Sequence, residues 1–360
     1  DNHGTIHGAT WVENIYGCMD ELAINYNPDA NWNDGSCEYP DNGDYSLSFD
    51  GVDDYVDLYS NTSLLDFING QEKLTVMYDA YVNGASSGTI FGHWSNNDGQ
   101  VGVNCGLGSG FENGFGVSNY SGCCSFQQEN FNSYDSWNRV VIVFDSEEIN
   151  NSDVIKLYVN GELQLLLPGA IANTPIGYAT SLFLGRRNVD GDEFGDYFRG
   201  YLNNVKIWDR SFNNEEVESI SEDSLFNESL TAYYKFNAGS NGILYDHSGN
   251  GNHGTINGAK WLINGDKHVA VDGSDEEGNG SLDNPFSSIQ YAIDIASDSD
   301  TILVSAGTYY ENINFNGKNI ALIGEDRETT IIDGGSIKSV VIFNNNETQD
   351  ALLSGFTITN

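Results

Sequence analysis

The sequence predicts an all-β chain of two architectures: an antiparallel sandwich over most of its 360 residues, then a coil of short strands. Three observations carry this. Gly is abundant at 41 and Pro scarce at 5, and runs of Tyr, Phe, Val and Ile alternate with Asn/Asp/Gly clusters. That is the pattern of short strands joined by turns. Second, Asn2-His3-Gly4-Thr5-Ile6-His7-Gly8-Ala9-Thr10-Trp11 returns as Asn252-His253-Gly254-Thr255-Ile256-Asn257-Gly258-Ala259-Lys260-Trp261. The offset, 252 less 2, is 250 residues, with two substitutions. An echo at a domain-sized spacing marks a repeated module. Third, the pattern changes after Trp261, where Ile302, Ile320 and Val340 recur at roughly the rung length of a solenoid.

Residues 1–15 are read as the tail of a preceding repeat in a larger modular protein. Residues 16–40 form a small Cys-bracketed insert or linker. It holds Asp29, Asn31, Asn33 and Asp34-Gly35, but a calcium loop of the EF-hand type needs Gly at its sixth position, where Asp34 falls. A disulfide-closed turn is favoured. Residues 44–262 are strand after strand. Asp50-Gly51 is a turn signal after Ser46-Leu47-Ser48-Phe49, and Val140-Val141-Ile142-Val143-Phe144 is a continuous apolar strand. Ile155 to Val159 runs into an Asn160-Gly161 hairpin turn. Ser181 to Gly185, Phe198 to Trp208 and Leu230 to Phe236 supply more strands, and Glu215 to Ile220 one short helical stretch. In residues 267–360, an acidic Gly-rich loop precedes a helix with Ile289, Ala292, Ile293 and Ala296 on one face. Ser287 is its expected N-cap. Short strands follow at Thr301–Val304, Ile313–Phe315, Asn319–Ile323, Thr330–Ile332, Val340–Phe343 and Leu353–Ile358.

Composition excludes some partners. Lys and Arg number 14 against 53 Asp and Glu, a formal charge of −39. Such a surface repels phosphate backbones and anionic membranes, so neither nucleic acid nor membrane insertion is expected. No apolar run is long enough to span a bilayer. The acids serve solubility, and some of them are expected to collect Ca²⁺. Cys18 and Cys37 bracket a segment too short for its own core, where a disulfide is most useful. Cys105 is expected to pair with Cys123 or Cys124. Disulfides place the chain in an oxidising exterior, secreted or on a cell surface.

Several motifs carry a family resemblance. Ser48-Phe49-Asp50-Gly51-Val52-Asp53-Asp54-Tyr55-Val56, Leu157-Tyr158-Val159-Asn160-Gly161, Phe183-Leu184-Gly185, and Phe198-Arg199-Gly200-Tyr201-Leu202-Asn203-Asn204-Val205-Lys206-Ile207-Trp208 resemble the laminin-G-like, concanavalin A-like jelly roll. So does Ala232 to Phe236 with Asp246-His247-Ser248-Gly249-Asn250-Gly251-Asn252-His253-Gly254. The family places that last stretch before the "FDG" strand, whereas the full copy here follows it. A unit closed by its own tail is therefore expected. Residues 267–360 resemble the N-terminal cap and first rungs of a right-handed parallel β-helix of the pectin-lyase-like class. In that class the catalytic residues lie on later rungs. The short Cys-bracketed segment resembles linker repeats of large bacterial surface proteins.

Calcium needs several hard oxygens from loops, and the jelly-roll resemblance implies one such ion at the sandwich edge. The candidate ligands are Asp50, Asp53 and Asp54; Asp246 with Asn250; and Asp190, Asp192 and Glu193. Asp272, Asp275, Glu276 and Asp283 are weaker. Sugar binding needs aromatic platforms beside polar groups, and Trp94 and Tyr120 lie in loop-like text. Lys318 and Arg327 sit near turns where an acid sugar could be held, although structural roles are favoured. The six His show no zinc spacing, and no catalytic set stands out.

The sequence therefore points to a non-catalytic adhesion array that binds a glycan or a surface protein, with structural calcium. One alternative is a targeting module on a partial β-helix of a polysaccharide lyase or hydrolase. Another is a structural stalk.

Overall fold

The structure is a computed structural model. It describes residues 12–60, 62–82, 88–94, 104–108, 111–118, 125–127, 136–148, 154–166, 175–187, 197–220 and 229–360, with the side chains of 94–135 and 165–166 outside the description.

Two antiparallel sheets form a sandwich. The first runs in the order Glu162–Leu166, Ile155–Val159, Trp137–Asp145, Lys73–Val82, Arg199–Trp208, Tyr45–Asp50, Lys260–Ile263, with Leu230–Tyr234 also on Arg199–Trp208. The second runs Ile243–Leu244, Gly254–Asn257, Tyr55–Asp57, Ser181–Leu184, Gly88–Trp94, Asn104–Gly108, Phe111–Ser118, Ser125–Gln127. The alternation of side chains along each strand sends Leu47, Phe49, Val76, Tyr78, Ala80, Ile142 and Leu202 inward. There they meet Val56, Phe91, Leu182 and Leu184 of the facing sheet, all buried. Asn160 and Gly161 both take positive φ, 53° and 82°, as a two-residue type I′ hairpin turn requires.

The repeated tail pairs with the opening strands of its own sandwich. Gly254–Asn257 lies antiparallel to Tyr55–Asp57, and Lys260–Ile263 to Tyr45–Asp50. The echo therefore contributes a strand to each sheet: Lys260–Ile263 at the edge of the first, and Gly254–Asn257 between Ile243–Leu244 and Tyr55–Asp57 in the second. The Cys18–Cys37 disulfide is present, and the insert it closes is no bare linker. Cys18 and Tyr39 are buried with the sandwich core.

A first short helix, α1 (Leu64–Ile68), buries Leu64 and Ile68 in the sandwich core. The outer face of the first sheet is also covered. At one end, α2 (Asn214–Ser219) and Phe212 bury Met77, Val141, Val143, Tyr158 and Trp208. α2 begins with a capping box: the Asn213 side chain accepts from the Glu216 N–H, and Glu216 reaches back to the Asn213 N–H. At the other end, Tyr81, Tyr201 and Leu262 pack into the core of the C-terminal unit.

That unit is built from parallel ladders. Lys267–Val269, Thr301–Val304, Ala321–Gly324 and Leu352–Ser354 form one; Gly307–Tyr309, Thr330–Asp333 and Thr357–Thr359 a second; Ile313–Asn314 and Val341–Ile342 a third. The single strand expected over 353–358 is two strands in different ladders. Gly355 (φ 79°) turns the corner between them, and a Cβ there would run into the Gly324 carbonyl of the coil beneath. Helix α3 (Ile289–Ile295) closes the end of this core with Ile289, Ala292 and Ile293.

The expected cap of α3 is corrected. Ser288, not Ser287, is the N-cap position, and its side chain makes no cap bond. The Glu311 carboxylate accepts from the Ile289 and Gln290 N–H groups at 2.8 Å each, while Asp275 accepts from the N–H groups of Ser287 and Ser288. A carboxylate from a distant strand end does what a local hydroxyl was expected to do, and the helix dipole favours it there. Among the described residues no helix is long and apolar enough to cross a membrane.

Candidate functional site

The turn between the strands Tyr45–Asp50 and Tyr55–Asp57 gathers three carboxylates. One oxygen from each of Asp50, Asp53 and Asp54 lies within 4.8 Å of the others, and this is the one such cluster among the described residues. The turn is rigid for local reasons. Asp50 Oδ1 accepts from the Val52 and Asp53 N–H groups at 2.7 and 3.4 Å, and Asp54 Oδ2 accepts from the Asp50 N–H at 2.8 Å. Asp50 and Asp53 are exposed, whereas Asp54 is only 6% exposed. Burial pushes the Asp54 carboxyl up to about 6; its bond from the Asp50 N–H opposes this, and the charges of Asp50 and Asp53 add to it.

The repeated tail makes room for this turn. Gly258 has φ +76°, and a Cβ there would collide with Asp54 Oδ1. Lys260, two residues on, places a positive charge that favours the ionised Asp54. Its Nζ donates to the Glu276 carbonyl at 2.7 Å. Gly51 (φ +82°) lies against Arg199, the cross-strand partner of Asp50.

Asp246 does not join the cluster, and its reading as a calcium ligand is corrected. It is fully buried, and both oxygens are saturated. Oδ1 accepts from the N–H groups of Tyr233 and Ser248 at 2.9 and 2.8 Å. Oδ2 accepts from Ser248 Oγ at 2.8 Å and the Asn252 N–H at 2.9 Å. Four donors leave no lone pair for a cation. Asn250 belongs to the same turn and donates through Nδ2 to the Leu230 and Thr231 carbonyls.

The turn organised by Asp246 receives the insert. His253 Nδ1 accepts from the Asp246 N–H, so the neutral ring carries its proton on Nε2, which lies 2.6 Å from Asp20 Oδ2. Tyr39 donates to the same oxygen at 2.7 Å and stacks on Tyr245 with centroids 5.3 Å apart. Burial acts upward on Asp20, but bonds from Tyr39, His253 and the Leu22 N–H outweigh it and hold its carboxyl below the usual range. Sequence spacing gave no sign of this clasp, because its partners stand 233 residues apart.

Other expected positions fall elsewhere. Lys318 Nζ donates to the Ile293, Asp294 and Ala296 carbonyls, capping the C-terminal end of α3, and exposed Arg327 pairs with Glu328. Trp94 ends the strand Gly88–Trp94, paired with Ser181, and its side chain lies outside the described residues. Cys105 lies in the strand Asn104–Gly108, opposite Phe91 and Val117. Its side chain, with Cys123, Cys124, Tyr120, Asp190, Asp192 and Glu193, lies outside the described residues.

A family model of the concanavalin A-like lectin/glucanases superfamily matches residues 50–218. The match starts at the acidic turn and ends in α2, and it supports the jelly-roll form of the sandwich. Among solved structures, a putative carbohydrate binding protein from Bacteroides ovatus is 16% identical, with TM-score 0.46, 65% of this chain covered and 66% of that one. A heptameric SAP-like pentraxin from Limulus polyphemus is 17% identical, with TM-score 0.39, 50% of this chain covered and 82% of that one. The CBM40 of a Ruminococcus gnavus IT-sialidase, bound to α2,3-sialyllactose, is 13% identical, with TM-score 0.36, 48% of this chain covered and 95% of that one. No curated protein sequence matches the chain.

Proposed function

We propose that the chain is an extracellular carbohydrate-binding module in an adhesion array, with Ca²⁺ held by Asp50, Asp53 and Asp54. The observation that carries the calcium reading is the convergence of these three carboxylates on one hydrogen-bonded turn. The residues fit the ion. Their oxygens are hard, the turn is preformed, and a buried carboxyl whose charge is disfavoured gains most from a cation. Three carboxylates leave part of a shell of roughly six to eight oxygens to water or to glycan hydroxyls. The lectin half of the matched superfamily supports the carbohydrate reading. The disulfide supports an oxidising, secreted setting. We read the C-terminal ladders as the cap and first coils of a parallel β-helix, which supports the sandwich as a rigid extension.

The test is a glycan panel probed with and without EDTA, beside the Asp53→Asn variant. Calcium-dependent capture of at least one glycan, weakened about tenfold by the variant, is the expected result. Capture that EDTA leaves unchanged would remove calcium from the proposal. No capture on any glycan would remove the carbohydrate reading.

A further inference from the structure

The outer face of the first sheet carries a row of cross-strand partners. Trp137 pairs with Tyr81, Tyr81 with Tyr201, Tyr201 with Ser48, and Ser48 with Lys260. Partners in register project from the same face, so three aromatic rings stand side by side. Tyr81 and Trp137 have centroids 5.9 Å apart, and Tyr81 and Tyr201 5.4 Å. The two tyrosines are 8% exposed, and Trp137 is 39% exposed.

The C-terminal unit does not close over the whole row. A cleft of about 740 Å³ remains, floored by Tyr81, Trp137 and Tyr201 and walled by the end of α3 and the 316–318 turn. The far wall is polar and fixed. Lys318 locks the helix end, the Asn316 amide donates to Asp294 Oδ1 at 2.9 Å, and Asp298 Oδ1 accepts from the Asn319 N–H at 2.8 Å. Ser136, Ser297 and Arg199 also line it.

We infer that this cleft is a second carbohydrate site, one that takes a neutral oligosaccharide without calcium. It rests on the carbohydrate-binding reading above but not on the acidic turn. A sugar ring has an apolar C–H face and a hydroxyl rim. The exposed Trp137 ring, set against the largely buried Tyr81 and Tyr201, suits the first, and the carboxylates, amide and hydroxyl opposite suit the second. The cleft lies within the range of small-ligand sites, roughly 300–1,000 Å³, room for about two or three rings. The carboxylates Asp294 and Asp298 are matched by the Arg199 and Lys318 cations, and the Lys318 ammonium is committed to three carbonyls, so the lining has no net charge and suits a neutral sugar. The site sits between two units of the fold, so neither holds it alone.

The test uses the full chain in EDTA. A panel of neutral gluco-, xylo-, manno-, galacto- and arabino-oligosaccharides of two to four units is titrated by calorimetry. Binding of at least one is expected, weakened about tenfold or more by Trp137→Ala. Ser297→Tyr, which fills the cleft from the opposite wall and removes no platform, is expected to abolish it. Both variants should keep calcium-dependent capture. If no oligosaccharide binds in EDTA, or if both variants bind as wild type does, the second site is overturned. Calcium-dependent capture that persists in that case leaves the proposed function standing. Loss of all capture in either condition takes both down.

Discussion

At the scale of single residues, burying a polar group inside a strand carries a penalty. His93 shows what this costs. Its Nε2 faces Asn69 Oδ1 at 3.0 Å, and that oxygen also accepts from the Ala179 N–H, so the imidazole is the donor. Nδ1 is buried with no hydrogen-bond partner among the described residues. Burial pushes the His93 imidazole down to about 4. A base whose pKa falls on folding contributes stability above its unfolded value, near 6.5, and loses it as pH falls toward 4. Between pH 7 and pH 5 that loss is about 2 kcal/mol. Asp54 works in the opposite sense, because a carboxyl raised to about 6 favours the fold as pH falls through that value. The raw pH slope therefore mixes the two. Denaturant unfolding of wild type and His93→Gln at pH 7 and pH 5 separates them, and the variant should lose about 2 kcal/mol of acid sensitivity. An unchanged pH difference would mean that His93 takes up its proton freely in the folded chain.

At the scale of elements, the insert and its clasp show where local reading ends. Loop closure by Cys18–Cys37, 19 residues apart, contributes roughly 3 kcal/mol in the chain-entropy account. The insert also carries Tyr39 onto Tyr245 and His253, and Asp20 onto His253. Replacing both cysteines with serine should therefore loosen the insert before the sandwich. Early proteolytic cuts between residues 19 and 36, at a temperature where the sandwich still resists, are the expected outcome. Cleavage no faster than in wild type would show that the clasp alone suffices. The Cys bracket, the Asn160-Gly161 turn and the helix near residue 215 were legible, because each is set by neighbours a few residues apart. The cap of α3 was not. Ser287 has the right chemistry but stands one residue before the N-cap position, Ser288, whose side chain makes no cap bond, and Glu311 supplies two oxygens to two N–H groups instead. Asp246 misled for a related reason. An acid in an Asn/Gly-rich turn has the same sequence signature whether it faces a cation or four backbone and side-chain donors.

At the scale of the whole molecule, the 250-residue echo acquires a physical reading. Its second copy supplies a strand to each sheet, the Gly258 gap beside Asp54, and the His253 that receives the insert. One of its two departures from the first copy is Lys260 in place of Thr10, and Lys260 donates to the Glu276 carbonyl of the C-terminal unit. This copy thus carries a residue that bonds to the acidic loop at the head of the C-terminal unit. The short apolar runs after Trp261 made the ladder strands legible, but the recurrence of Ile302, Ile320 and Val340 is not their register. Ile302 stands on Leu322 and Leu322 on Leu353, while Val340 precedes a strand of another ladder. Their seat on the sandwich was not legible, because Tyr81 and Tyr201 sit in ordinary strand text. The seat is substantial: Tyr81, Tyr201 and Leu262 share one buried cluster with Val269, Phe286 and Ile289. Buried Asn279 bridges it, donating to the Gly239 carbonyl at 2.9 Å while its own carbonyl accepts from the Ile263 N–H at 2.8 Å. Sandwich and ladders should therefore unfold together in a single calorimetric transition. Asn279→Ala leaves the Gly239 carbonyl unpaired at a cost of about 1–3 kcal/mol. It should split that transition, with the ladders melting first. Two separate transitions in the wild-type chain would show instead that the shared cluster does not couple the two units.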